Sequence, residues 1–279
     1  MSLLLALLLQ VGPFPGVDTM PRADDPLINR PPPRRVRGQA PVVEIEGITP
    51  SSQWLQECLD QIEQDPARAH AMAQIRRTEV QGADRVLANL CLGAASTELA
   101  RWDDARDAFL AAREGTPADE PRARARFAAM AGNAAFEGSG AEEALTLLAI
   151  ARDDARAASD ATLEAIAATD SARVLVALKR TDDALAALAA ATRLAPERAE
   201  GWLLHATLLR RLDKLDDAQA AIERAAALAP KDPEIGLEAG VIAVLGGRDD
   251  AARASWESVI ALDPASPFAD TARGYLAQL

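Results

Sequence analysis

Residues Ala199–Asp232 read AEGWLLHATLLRRLDKLDDAQAAIERAAALAPKD. Two helical stretches flank a break at Asp213-Lys214, and Pro230 closes the second, because a proline cannot continue a helix. The same punctuation recurs along the chain in the pairs Ala105/Pro117, Ala184/Pro196, Ala218/Pro230 and Ala252/Pro264, each proline twelve residues after its alanine. Ala184, Ala218 and Ala252 stand 34 residues apart. A period of about 34 with this punctuation predicts an all-α, right-handed helix–turn–helix solenoid, in which each unit buries its apolar face on its neighbours.

Composition agrees. Of 279 residues, 49% are hydrophobic and only 4% aromatic, and the hydrophobic share is mostly alanine and leucine. Both are strong helix formers. The one short alternating stretch suited to a strand is Val42–Ile48. The net charge of −12 argues against nucleic acid as the main partner, since phosphate binding needs a surplus of Lys and Arg on one face.

The chain divides into three parts. Residues 1–12 open with the apolar run Met1–Leu9, which has the length of the core of a secretory signal and is too short to span a membrane. No Lys or Arg precedes that run and no clean small-residue cleavage site follows, so export stands against a disordered leader or a misplaced start. Residues 13–50 are proline-rich and include Pro31-Pro32-Pro33 followed by Arg34-Arg35-Val36-Arg37, a composition that reads as a solvated linker. Helical pattern runs from Ser51-Ser52, a candidate N-cap, to the end. Its breaks predict helices of about 12–15 residues.

Within Ala199–Asp232, Trp202, Ala206, Ala218, Ile222, Ala225 and Pro230 fall on the signature positions of the tetratricopeptide repeat, which the unit resembles; Leu209 stands where that family prefers tyrosine. Other units match with losses: Leu92, Gly93, Ala105, Phe109, Ala112 and Pro117; Gly132, Ala144, Leu148 and Ala151, with no proline; Ala172, Ala184, Leu188, Ala191 and Pro196; Gly240, Ala252, Trp256 and Pro264. The resemblance covers about 51–279, as repeats 86–119, 125–158, 165–198, 199–232 and 233–266 with a closing helix over 267–279. Residues 52–85 read as a degenerate first repeat, with Ala71 and Ile75 in phase, and residues 120–124 interrupt the register, which predicts a longer turn there.

Acidic pairs precede most of the second-helix alanines: Asp103-Asp104, Glu142-Glu143, Asp182-Asp183, Asp216-Asp217 and Asp249-Asp250. Negative charge at a helix start complements its dipole. Adjacent residues on a helix point about 100° apart, a poor arrangement for one metal ion. In the register of the resemblance, Cys58 and Cys91 lie midway along the first helices of neighbouring repeats, which pack side by side in that family. This implies a disulfide closing a loop of about 30 residues, for roughly 3–4 kcal/mol; two buried free thiols are the alternative.

His70 reads as a surface residue and His205 as packed in the core. The sequence contains no Cys-x-x-Cys, His-Glu-x-x-His, phosphate loop, dinucleotide fingerprint or Gly-x-Ser-x-Gly, so neither an enzyme nor a cofactor is expected. The resemblance places a concave groove along the first helices. It would be lined by Glu98, Arg126, Asn133, Arg173, Thr207, Arg210 and Arg211, with Leu203, Leu237, Val241 and Val244 as apolar surface. Arginines there could pair with a carboxylate of an acidic partner, or be simply solvated. The expectation is a non-catalytic scaffold that binds a protein or peptide and is periplasmic or secreted. The alternatives are a cytoplasmic scaffold or an accessory domain that positions a cell-envelope enzyme.

Overall fold

The computed structural model describes residues 50–279. The leader, the proline-rich segment with its arginines and the Val42–Ile48 stretch lie outside the described residues, as do the side chains of Ser51 and Ser52.

Thirteen helices and no strand occur among the described residues. They are α1 (Pro50–Gln64), α2 (Pro66–Glu79), α3 (Gly82–Glu98), α4 (Trp102–Gly115), α5 (Pro121–Glu137), α6 (Ala141–Ala157), α7 (Ala161–Ala177), α8 (Thr181–Leu194), α9 (Ala199–Arg211), α10 (Leu215–Leu228), α11 (Pro233–Leu245), α12 (Asp249–Leu262) and α13 (Pro267–Leu276). They form six antiparallel pairs, α1/α2 to α11/α12, with α13 laid over the last. None of these helices is long and apolar enough to cross a membrane.

The turn inside each later pair has one design. Three residues join α3 to α4, α5 to α6, α7 to α8, α9 to α10 and α11 to α12. The middle residue is left-handed: Ala100 (φ 53°), Ser139 (70°), Lys179 (60°), Asp213 (58°) and Gly247 (69°). The third residue donates its N–H to the carbonyl five positions back, as in Arg101 to Ser96 (2.8 Å), Arg180 to Leu175 (2.8 Å) and Lys214 to Leu209 (3.0 Å). This is the Schellman arrangement, which satisfies carbonyls that a helix end leaves open. The next helix then starts on Arg101, Gly140, Arg180, Lys214 or Arg248, none of which caps it with a side chain. The exposed acidic pairs supply negative charge in that first turn instead.

Small and large residues meet at a constant offset of 16 positions: Gly93/Phe109, Gly132/Leu148, Ala172/Leu188, Ala206/Ile222 and Gly240/Trp256. All ten side-chain sites are buried. Large side chains from the second helix fill space that the small residue of the first helix leaves, and each buried Leu or Ile contributes about 1.5–3 kcal/mol.

The structure departs from the sequence expectation in three places. Helices α3, α5, α6 and α7 have 17 residues, longer than expected, because no breaker interrupts them before Leu99, Gly138, Ala158 and Leu178. Helix α6, whose repeat lacks the proline, ends instead in a further Schellman turn with Ser159 at φ 52°. Residues Ala71 and Ile75 are not the buried phase of α2: Ile75 is 60% exposed, whereas Ala69 and Ala73 are buried. A single residue, Asp65, joins α1 to α2, two fewer than in later pairs, and the buried positions move back by two. His70 is buried at 7% exposure rather than on the surface. The connector 116–120 is one residue longer than the four-residue connectors that follow α8 and α10.

Candidate partner groove

Consecutive first helices pack on one another at the α1–α3, α5–α7, α7–α9 and α9–α11 seams, and α11 packs on α13. Second helices touch the first helices on either side but make no comparable contact among themselves. The first helices therefore form a row along one side of the stack, the inner row, and the second helices lie on the other, outer side. Between α3 and α5, across the longer connector, the first-helix row is interrupted.

A polar ladder crosses the seams of this inner row. Asn133 on α5 donates from Nδ2 to Oδ2 of Asp170 on α7 at 3.1 Å. Arg173, one turn along α7, donates to Asp170 Oδ1 at 2.7 Å and to Glu200 of α9. Arg198 donates to the other oxygen of Glu200 at 2.9 Å. Further along, Arg210 of α9 donates from Nε to Oε1 of Glu238 on α11 at 2.6 Å. Asp170 is 6% exposed and Glu238 is fully buried. Burial pushes the Asp170 carboxyl up, against the pull of Arg173 and Asn133. For Arg173, burial pulls the guanidinium down, but Asp170 and Glu200 outweigh it and hold the charge firmly in place.

The fold of the chain is similar to those of several solved structures. PilW, described as a widely conserved type IV pilus biogenesis factor, superposes with a TM-score of 0.62 at 18% identity, covering 81% of this chain and 99% of its own. PilF of Pseudomonas aeruginosa gives 0.60 at 17% identity, over 81% of this chain and 97% of that one. MamA of Desulfovibrio magneticus gives 0.52 at 15% identity, over 66% and 98%. This chain is a tetratricopeptide-like solenoid. No protein-family model and no curated protein matches its sequence.

The expected groove residues lie in different surroundings. Asn133, Arg173, Arg210 and Arg211 are partly exposed on the inner row, as are Arg126 and Val241. Thr207 is not a groove contact: it is 1% exposed and donates to the Leu203 carbonyl at 2.9 Å. Leu203 and Leu237 are also buried, at 8% and 6% exposure. Leu203 packs in a cluster with Ala218 and Ile222 of α10, and Leu237 with Trp256 and Val259 of α12. Apolar surface at the C-terminal end comes from Val241, Val244 and Leu245, the last 43% exposed.

Arg173 and Arg210 already hold carboxylates of this chain, so an incoming carboxylate must compete with Asp170, Glu200 and Glu238. Sequence reasoning missed all three acids. A signal was present: Asp170 and Glu238 lie two periods of 34 apart, each interrupting an otherwise small or apolar run.

The outer side carries a separate open trough of about 530 Å³ between α6 and α8, floored by Ser171 and Leu175 of α7. None of the expected groove residues lines it. Among the described residues, no group of three or more His, Cys, Asp or Glu is placed to hold a metal ion.

Cys58 of α1 and Cys91 of α3 stand as a disulfide pair with Cα atoms 6.3 Å apart, inside the range such a bond allows. Both are fully buried.

Proposed function

We propose that the chain is a non-catalytic scaffold that holds a protein or peptide partner along its first-helix row. The observation that carries this reading is the ladder Asn133–Asp170–Arg173–Glu200 with Arg210–Glu238, which sets rigid polar groups on the inner face of the stack. Buried carboxylates lock the arginine rotamers, which lowers the entropy lost when a partner binds. Because those arginines are already paired, the reading favours a partner held by apolar contact at Val241, Val244 and Leu245 over one held by acidic groups alone.

We infer a location outside the cytoplasm. The apolar run Met1–Leu9 and the Cys58–Cys91 pair support it, since disulfides persist in oxidising compartments. A cytoplasmic scaffold would carry Cys58 and Cys91 reduced.

Site-specific photo-crosslinking in the native host tests the groove. A crosslinker at Arg173 or Val241 should trap a discrete partner, and one at Glu223 on the outer face of α10 should not. Equal capture from both faces discards the groove. Intact mass of the unreduced native protein tests the compartment: two free thiols and an uncleaved leader argue for the cytoplasm.

A further inference from the structure

The first helical pair lacks the feature that holds the others together. Every later pair sets Phe109, Leu148, Leu188, Ile222 or Trp256 against a small residue 16 positions earlier. The buried side chains of α2 are Ala69, His70 and Ala73, with no large aliphatic or aromatic residue among them. Helix α1 buries Leu55 and Cys58 and only partly covers Trp54, Leu59 and Ile62. The polar contacts of the pair are also poor. Nε2 of His70 is buried without a hydrogen bond, with Asp104 4.0 Å away; Arg76 lies over the Trp54 ring and reaches Asp84 of α3 only at 3.8 Å, its Nε buried without a hydrogen bond. Such groups lose water on folding and recover little. The covalent tie from Cys58 to Cys91 joins this thin pair to the well-packed α3.

We propose that α1–α2 is a redox-dependent cap, held on α3 while Cys58–Cys91 is joined and released as a unit when a dithiol reductant opens the bond. Both sulfurs are sealed from solvent, so attack follows a transient opening of the pair. One thiolate of the reductant attacks one cysteine sulfur, the S–S bond breaks, and the other cysteine leaves as a thiolate that takes up a proton. The second reductant thiol then displaces the first cysteine. The products are two cysteine thiols and the oxidised, cyclic disulfide of the reductant. Without the tie, the thin apolar contact of α1–α2 competes with the chain entropy of a released segment, and the end of the array formed by α3 is uncovered. This inference rests on the disulfide and not on the groove, so loss of groove binding leaves it standing.

Hydrogen exchange read by mass spectrometry on the full chain, with and without dithiothreitol, tests it. Peptides within 53–79 should exchange at least tenfold faster after reduction, while peptides from α5 to α13 stay unchanged. A Cys58→Ala/Cys91→Ala variant without reductant should reproduce that pattern. Equal protection of 53–79 in both redox states overturns the proposal, as does a uniform loss across all thirteen helices. Two free thiols in the unreduced native protein also overturn it.

Discussion

Gly240 lies under the indole of Trp256: a Cβ at that glycine would stand 2.1 Å from Nε1 and 2.4 Å from Cε2. The same indole donates to the Leu237 carbonyl at 3.2 Å and meets the Tyr275 ring of α13 at 5.1 Å. One small residue thus lets a large one tie α11, α12 and the closing helix together.

Gly240→Ala should therefore destabilise the C-terminal end, although alanine is the better helix former. The added methyl cannot be absorbed without moving the indole, and overpacking of this kind costs about 1–3 kcal/mol. Urea denaturation followed by Trp fluorescence reads it. An unchanged or higher midpoint would show that the indole swings aside freely.

Lys179 holds a left-handed backbone at φ 60° where Gly247 occupies the equivalent turn of the last pair. A side chain there costs about 1–2 kcal/mol, part of which glycine returns as unfolded-chain entropy. Lys179→Gly should raise stability by about 0.5–1 kcal/mol, seen as a higher urea midpoint at constant slope. A lower midpoint would mean that the lysine side chain makes a contact worth more than the backbone strain.

Removing Arg173 strips the buried Asp170 of its cationic partner. Arg173→Met should cost about 3 kcal/mol, the low end for a broken buried pair, because Asp170 can take up a proton in response. The double variant Arg173→Met/Asp170→Leu should recover most of that loss. Thermal unfolding of both variants checks it, and a double variant no better than the single would count against the pair as the cause.

Burial holds both histidines below their ordinary value of 6.5: at His70 the neighbouring Arg101 adds to it and Asp104 opposes, and at His205 Asp217 opposes. A depressed folded value means that the unfolded chain binds protons more readily. The stabilising contribution is complete above pH 6.5 and is lost as pH falls through the folded values. Melting temperature should drop between pH 7.5 and pH 5, and His70→Asn/His205→Asn should flatten that part of the profile. An equal drop in the double variant would assign it to other groups.

The solenoid was legible in the sequence because its determinants are local and repeat. Prolines after second helices act within a turn of chain, each small residue at a crossing meets a large one only 16 positions on, and both recur at about 34 residues. Helix lengths in the middle repeats and the phase of α2 were not legible. The first depends on where a left-handed residue ends each helix, and Ala100, Ser159 and Lys179 give no sign of that in their chemistry. The second depends on one missing turn, whose two-residue deficit turns Ile75 outward.

For the expected groove, the sequence alone determined which helix of each pair carries its residues, since the repeat period alternates first and second helices. Only the tertiary structure decided what those residues do there. Thr207 is buried, and Arg173 and Arg210 meet Asp170, Glu200 and Glu238. Arg173 and Glu200 lie 27 residues apart, and Arg210 and Glu238 lie 28 apart. Such pairs form only when neighbouring helices stack at a given distance and rotation, and a one-dimensional period does not encode either.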